Sequence, residues 1–172
     1  GELLSDYYFT KFGVDTRSVR FPGIISNGAM PGGGTTDYAV EVFYKAVKEG
    51  RFTCEVPKDA YMDMIYMPDA LESTTQLMEA DPTKLKHRNS FNIASMSFTP
   101  EQLFTAIKKR IPEFTWDYNV DPVKAAIAAS WPDIMDDSAA REEWGWNPKW
   151  GLDEMIDDML AACRRKLANG EY

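Results

Sequence analysis

The spacing of apolar residues changes along the chain, and the changes predict alternating helices and strands. Segment 37–49 has apolar residues three and four positions apart, as on one face of a helix: Val40, Phe43, Tyr44 and Val47. Short apolar or alternating runs predict strands at 16–21, 51–56, 63–67, 90–94 and 114–118. Strands and helices in alternation indicate an α/β fold.

Turn and cap residues predict where the elements begin and end. The first twelve residues are interpreted as the end of a helix, with Gly13 as its stop. Thr99 and Gln102 form a capping-box pattern around Pro100, which predicts a helix start there. Further helices are predicted from 68, 121, 137 and 152. Pro22-Gly23 is predicted to end the first strand, before a glycine-rich loop that runs to Gly34.

Composition narrows the classes of function. Hydrophobic residues make up 44% of the 172 residues and charged residues 27%, with a net charge of −8. A negative net charge argues against nucleic acid as a partner. No apolar run approaches the roughly 18 residues of a membrane span, so no membrane partner is expected. The chain starts with Gly1 rather than Met, which is typical of a cut, a processed end or a partial chain.

The chain is poor in the residues that bind metals. It has two cysteines, Cys54 and Cys163, and one histidine, His87. We expect both thiols to be buried and reduced, as in an intracellular compartment, and His87 to lie in a surface loop. One histidine and two distant cysteines cannot form a structural zinc site, so no metal is predicted.

Tyr7 and Lys11 are four residues apart, which is the spacing of the reactive pair in short-chain dehydrogenases. Lys11 lies two residues before the predicted helix stop, whereas a catalytic lysine must be held rigidly. We therefore interpret both as helix-surface residues. Gly32-Gly33-Gly34 follows no strand of a dinucleotide-binding unit, so it is not interpreted as a phosphate loop.

Several motifs resemble the extended short-chain dehydrogenase/reductase family: VRFPGII, DMIYMPDA and DDSAAREEWGWNPKW. Within that family, six segments in order resemble the short-chain type of L-threonine 3-dehydrogenase: RFPGIIS, PGGGTTDYA, SFNIASMSFTPEQL, YNVDPV, SWP and DDSAAREEWGW. The resemblance covers residues 1–167, nearly the whole chain. It implies the C-terminal half of an enzyme that oxidises L-threonine to 2-amino-3-ketobutyrate with NAD.

The resemblance also implies the fold class and the domains. The expected fold is α/β, the C-terminal part of an extended short-chain dehydrogenase, with the end of a Rossmann-like sheet and a small substrate-binding lobe. Residues 1–34 would finish the Rossmann-like core, and 35–172 would form mainly the lobe. Gly1-Glu2 and Arg20 match family positions that follow the reactive Tyr-x-x-x-Lys, so no catalytic residue is expected in this chain; the pair is expected upstream of Gly1.

Two groups of site residues follow from the resemblance. The expected nicotinamide segment is Phe21, Pro22, Gly23 and Ile24, and the expected substrate residues are Gly33, Gly34, Thr35, Thr36 and Trp131. Glycines allow the backbone to approach a ligand closely, and a helix start favours an anion such as a carboxylate. The residues themselves leave alternatives open. Helix capping is favoured as the role of Thr36 and Asp37, and substrate contact as the role of Thr35. Trp131 is either a core residue or part of the wall of the substrate cavity.

Other expectations concern partners and competing functions. By the resemblance, the complete enzyme is a homodimer that pairs through the first helix, cytoplasmic in bacteria or in the mitochondrial matrix of eukaryotes. One alternative is a sugar-nucleotide epimerase or dehydratase of the same superfamily, for which Arg51 is the candidate diphosphate ligand. Another is a non-catalytic binding or dimerisation module. Asp63 is interpreted as a strand-end residue and Asp69 as a helix cap.

Overall fold

The structure is a computed structural model that describes residues 1–171. Its helices are α1 Glu2–Phe12, α2 Tyr38–Glu49, α3 Met67–Glu79, α4 Pro100–Lys108, α5 Pro122–Ala129, α6 Ser138–Trp144 and α7 Leu152–Ala168. Its strands are β1 Val19–Arg20, β2 Gly23–Ile25, β3 Arg51–Cys54, β4 Met62–Tyr66, β5 Phe91–Asn92, β6 Met96–Phe98 and β7 Thr115–Tyr118.

The strands pair in three small sheets. In the central one, β4 lies between β2, which runs parallel to it, and β6, which runs antiparallel. β1 pairs with β5 and β3 pairs with β7, both in parallel. Parallel pairs need long crossovers, which the helices supply. The predicted α/β class is confirmed.

Two apolar clusters hold these layers together. The larger one packs α2, α4 and α7 around β3 and β4, and the apolar face of α7 lies in it, as Met155, Ile156, Met159, Leu160 and Cys163 are buried. The smaller one lies between α3, β5 and α6 and contains Trp146, with Trp144 packed against it. The predicted packing role of these two tryptophans is confirmed. The division at residue 34 stays a prediction.

Several predicted caps and stops are present. Thr99 Oγ1 accepts a hydrogen bond from the N–H of Gln102 at 3.2 Å, and the Gln102 side chain accepts from the N–H of Thr99 at 2.9 Å, so the capping box is formed. Gly13 and Gly50 end α1 and α2 in the left-handed conformation, with φ of 68° and 67°. Glycine has no Cβ penalty there, which explains these stops.

The sequence reasoning was wrong at two strands. Pro22-Gly23 does follow the end of the first strand, as predicted, but the next residues were predicted as loop, whereas Gly23–Ile25 forms β2, which pairs with β4. β6 was not predicted, and the expected strand at 90–94 is reduced to the two residues of β5. β2 and β6 are three residues each. They form strands because each pairs with one edge of the longer strand β4. Local pattern does not show such a pairing.

The Asp69 prediction was also wrong. Asp69 lies in the first turn of α3, is 1% exposed, and makes no cap, since the helix begins after Tyr66 with no side-chain cap. Its carboxylate accepts the N–H groups of Lys149 and Trp150 at 3.0–3.2 Å and the hydroxyl of Ser95 at 3.2 Å. Asp69 therefore ties the chain segment before α7 to the first turn of α3.

The thiols and the histidine lie where they were predicted. Cys54 and Cys163 are buried and are not joined in a disulfide, and burial raises the pKa of the Cys54 thiol to about 11. The His87 side chain is mostly exposed, and its ring nitrogen Nδ1 contacts the buried carboxylate of Glu143. The N–H groups of Lys86 and His87 also donate to Glu143, at 2.8 and 2.9 Å, so this carboxylate anchors the 86–87 loop.

No helix within residues 1–171 is long and apolar enough to cross a membrane. The same residues contain no group of three His, Cys, Asp or Glu side chains arranged to hold a metal ion.

Candidate substrate and nicotinamide site

An open cavity of about 440 Å³ lies beside the central sheet. We call it the apolar cavity. It is lined by Phe21, Pro22, Gly23, Ile24, Thr36, Asp63, Trp131, Pro132 and Met135. All four residues predicted to contact the nicotinamide line it, together with two of the five predicted for substrate, Thr36 and Trp131. The fold thus brings together segments that are far apart in the sequence.

The pairing of β2 with β4 creates one wall of this cavity. Gly23 and Ile24 lie opposite Met64 and Ile65 in the parallel register. Pro22 separates β1 from β2 and has no N–H to offer to a ladder. Phe21 and Ile24 remain 40% and 38% exposed, so apolar side chains face the cavity instead of the core.

Gly23 is fixed as glycine by close packing. A Cβ at this position would lie 2.4 Å from Sδ of Met64 and 2.8 Å from Cγ2 of Thr36, far below van der Waals distance. The methyl group of Thr36 therefore lies directly against the β2 backbone. This contact brings the Thr36 side chain to the cavity and ties its position to the predicted nicotinamide segment.

A second, smaller cavity of about 120 Å³ lies on the other side of the glycine loop; we call it the polar cavity. Its walls include three residues predicted for substrate: Gly33, Gly34 and Thr35. Its charged side chains include Lys124, whose Nζ lies 2.6 Å from the carboxylate of Glu55. The two neighbouring threonines thus line different cavities. The substrate role of Thr35 stays a prediction.

Asp37 organises the loop between the two cavities. Its Oδ2 accepts the N–H groups of Gly33 and Gly34, both at 2.7 Å. Asp37 occupies the N-cap position of α2 but makes no side-chain cap there. The predicted capping by Thr36 or Asp37 is therefore wrong, because the Asp37 carboxylate turns back to the loop. Gly33 has a φ of 102°, which side-chain-bearing residues rarely adopt.

Trp131 forms the outer wall of the apolar cavity. It is 41% exposed, so the interpretation as a core residue is wrong. It lies in the connection between α5 and α6, with Pro132 and Met135 beside it at the cavity. A large aromatic side chain left half-exposed over a cavity is suited to cover a bound ligand.

Asp63 is a site residue that the sequence reasoning missed. It was interpreted as a strand-end residue, but it is the second residue of β4, which is buried along its whole length, and it is 6% exposed. Asp63 is the one charged side chain among the residues that line the apolar cavity. The signal was available: a carboxylate inside an apolar strand pattern needs hydrogen-bond partners.

A polar network holds the start of the glycine loop. The amide of Asn27 donates to the hydroxyl of Tyr66 at 3.1 Å, and Tyr66 donates to Asp158 on α7 at 2.5 Å. The carbonyl of Asn27 accepts from Tyr44 at 3.2 Å and from Lys166. Burial and the Asp158 carboxylate raise the pKa of Tyr66 well above its ordinary range. This tyrosine therefore stays protonated and donates to Asp158.

Other candidate residues lie apart from the cavity. Tyr7 is exposed on α1, as its interpretation as a surface residue predicted, and so is Lys11. Arg51, the candidate diphosphate ligand, is bonded to Asp117 at 2.5 Å on the β3–β7 sheet and does not line the apolar cavity. Arg20 is paired with Glu2 through two contacts of 2.5 and 2.6 Å, which joins β1 to α1.

The cavity residues fit a nicotinamide group. Its walls are mostly apolar, and the close packing of Met64 and Thr36 against Gly23 fixes the β2 backbone that forms one wall. A flat heteroaromatic ring with one amide is accommodated by apolar walls and a few polar groups. The phosphate-binding fingerprint is not in these residues, so they would hold only the nicotinamide end.

The chain is similar to curated and solved proteins, although no family model matches it. It is 58% identical over 169 residues to an uncharacterized epimerase/dehydratase of Staphylococcus haemolyticus, covering 98% of this chain and 53% of that protein. A protein of the same description from Staphylococcus aureus is 56% identical over 166 residues, covering 96% of this chain and 52% of that protein. The chain thus spans about half the length of the curated relatives it matches.

The chain also covers about half the length of the solved structures that it resembles. L-threonine dehydrogenase from Clostridium difficile superposes with a TM-score of 0.94 and 54% identity, over 96% of this chain and 52% of that one. The enzyme from Phytophthora infestans gives 0.93 and 50%, over 96% and 53%. The predicted resemblance to half of a short-chain threonine dehydrogenase is confirmed, and so is the fold class.

Proposed function

We propose that this chain is the substrate-binding portion of an NAD-dependent L-threonine 3-dehydrogenase. The observation that carries the proposal is the apolar cavity, in which the segment 21–24, Thr36 and Trp131 meet. Half-length similarity to enzymes described as L-threonine dehydrogenases supports the choice of substrate. The complete enzyme would convert L-threonine to 2-amino-3-ketobutyrate, in the cytoplasm of a bacterium or in the mitochondrial matrix of a eukaryote.

The residues of this chain bind and orient in the proposed reaction. Phe21, Pro22, Gly23 and Ile24 would hold the nicotinamide, which accepts a hydride from the β-carbon of threonine when bound. The Thr36 hydroxyl, which can donate or accept, would bind a polar group of threonine. Trp131 would cover the substrate and exclude water. Proton removal from the β-hydroxyl belongs to the Tyr-x-x-x-Lys pair that we expect upstream of Gly1.

The roles of the predicted substrate residues divide at the glycine loop. We give Thr36 the direct contact because it shares the cavity with the segment 21–24. Gly33 and Gly34 would shape the loop, since Asp37 binds both of their N–H groups. Thr35 lines the polar cavity, so in this proposal it shapes the loop and makes no direct contact with threonine. The homodimer of the complete enzyme remains part of the proposal, with α1 as the pairing helix.

A second candidate is a sugar-nucleotide epimerase or dehydratase, since the curated relatives are described as uncharacterized epimerase/dehydratases. Such an enzyme needs a cation for the diphosphate. No lysine or arginine lines the apolar cavity in the described residues, and Arg51 is engaged with Asp117. These observations favour the small zwitterion over the nucleotide.

The test is an assay of the complete protein that contains this chain. With NAD and L-threonine, NADH should form at 340 nm. A UDP-sugar or GDP-sugar should give neither a redox signal nor an epimer detectable by NMR. Turnover of a sugar nucleotide without threonine oxidation would reject the proposal in favour of the second candidate. Absence of both activities, with NAD bound and the fold intact, would favour a non-catalytic module.

A further inference from the structure

We propose that Asp63 is a positioning residue that holds residues 131–135 in place as the outer wall of the apolar cavity. The inference deepens the proposed function and rests on it, since its readout is the binding of threonine. It concerns a residue to which the resemblance assigns no role.

Asp63 joins two elements through its two carboxylate oxygens. Oδ1 accepts the hydroxyl of Ser97, which lies directly opposite on β6 in the antiparallel register. Oδ2 accepts the backbone N–H of Met135. One side chain on a buried strand thus bonds to the neighbouring strand and to the connection between α5 and α6.

The connection needs such an anchor. Residues 130–137 contain no helix or strand. At the start of the connection, Trp131 still donates to the carbonyl of Ala128 at 3.2 Å, as part of the last turn of α5. Pro132 has no N–H to donate. The bond from Met135 to Asp63 ties the middle of this connection to the central sheet.

The chemistry favours a carboxylate at this position. A buried ionised group is stable only when it is hydrogen-bonded, and each Asp63 oxygen has a donor. Bonds to a charged acceptor are stronger than neutral ones. Because Trp131, Pro132 and Met135 all line the cavity, loss of this anchor would loosen the wall over the substrate while leaving the reacting groups in place.

The experiment measures threonine kinetics of the complete enzyme with Asp63→Ala and Asp63→Asn. We expect Asp63→Ala to raise KM for L-threonine roughly tenfold to a hundredfold, with kcat within about threefold. Asparagine can accept the Met135 N–H through its amide oxygen and donate to the Ser97 hydroxyl, so Asp63→Asn should recover most of the loss in KM. Equal impairment of both variants would overturn the proposal, because it would mean that the negative charge itself binds the substrate ammonium.

Asp69→Ala is the matched control. Asp69 is also buried and also accepts a serine hydroxyl and backbone N–H groups from a distant segment, but it does not line the apolar cavity. The Asp69→Ala substitution should lower the melting temperature without raising KM for L-threonine. A rise in KM as large as that of Asp63→Ala would show a general loss of structure and would overturn the positioning role.

A second pair of variants keeps the test decisive if Asp63→Ala does not fold. Met135→Pro removes the N–H donor, and Met135→Ala removes the side chain but keeps the donor. The proposal predicts that KM rises at least about fivefold more for the proline variant than for the alanine variant. Equal values of KM for the two would overturn it. NADH formation by the unaltered enzyme is the reference, so failure of the proposed function itself is recognised separately.

Discussion

Thr35 and Thr36 are consecutive in the sequence, but they line two cavities of opposite character. Thr36 lines the apolar cavity, which is broad and bounded by exposed apolar side chains from β2 and from residues 131–135. Thr35 lines the polar cavity, which is less than a third of its volume, and whose Lys124 is paired with Glu55. The difference is between an open apolar surface and a small polar cavity whose one lysine is already paired with a carboxylate.

The comparison indicates where a ligand stabilises the protein most. Exposed apolar surface such as Phe21 and Ile24 costs free energy in water, and burial recovers roughly 25 cal/mol for each Å² covered. At the polar cavity, Lys124 is already paired with Glu55, so an anionic ligand there would compete with Glu55 for Lys124. This difference supports the proposal that threonine and the nicotinamide bind in the apolar cavity.

The largest effect is expected from disturbing the packing of Met64 and Thr36 against β2 at the wall of the apolar cavity. In Gly23→Ala the new Cβ would meet Sδ of Met64 at 2.4 Å and Cγ2 of Thr36 at 2.8 Å, so one of them must move. We expect a loss in kcat/KM of roughly a hundredfold or more in the complete enzyme, and a cost of about 1–3 kcal/mol in stability.

Gly32→Ala is the control for that variant, because a Cβ on Gly32 meets no atom within 4 Å. Its kcat/KM and its urea midpoint should stay near those of the parent protein. Threonine kinetics and urea unfolding of both variants provide the measurement. Normal turnover of Gly23→Ala would mean that the β2 backbone does not border the reacting groups.

A smaller effect is expected from the outer wall. Trp131→Ala removes a half-exposed ring from the apolar cavity, so we expect KM for threonine to rise roughly tenfold with little change in melting temperature. Kinetics and a thermal melt of the complete enzyme measure both. A large drop in melting temperature with an unchanged KM would show that Trp131 stabilises the fold and does not contact threonine.

The smallest effect is expected in the polar cavity. Lys124→Met breaks the pair with Glu55, whose carboxylate is half exposed, so the loss in stability at pH 7 should stay below about 1 kcal/mol, and KM should not change. The hydrogen bond that Lys124 donates to the Glu55 carboxylate raises the pKa of Lys124 above its ordinary value of 10.5.

The sign of the pH dependence follows from that raised pKa. The contribution of the pair to stability is fully present below pH 10.5 and is lost as the pH rises through the higher pKa of the folded state. Urea unfolding of Lys124→Met and the parent at pH 7 and at high pH should therefore show a difference that shrinks as the pH rises. A difference that grows with pH would contradict this account of the pair.

The elements that could be predicted from the sequence are those with local signals. The capping box at Thr99, the stop at Gly50 and the stripe of α7 depend on residues three or four positions apart, and all three are present. β2 and β6 could not be predicted in this way because both are short and depend on β4 for their pairing.

The candidate site shows the same limit. The segment 21–24 and Trp131 came from the resemblance, and no local pattern indicates that residues more than 100 positions apart share a cavity. Asp69 and Asp63 were interpreted by local rules for caps and strand ends, whereas their partners are Trp150, Ser97 and Met135. Long-range hydrogen bonds of buried carboxylates decide these roles, and sequence spacing does not reveal them.

The most direct test of the account compares Thr36→Val with Thr35→Val in the complete enzyme, by kcat/KM for L-threonine. Valine keeps the shape of each side chain and removes only the hydroxyl. We predict a loss of roughly 10- to 150-fold for Thr36→Val and a change within about threefold for Thr35→Val, with NAD affinity preserved in both. The reverse order, with the loss at Thr35, would place threonine in the polar cavity and contradict the account.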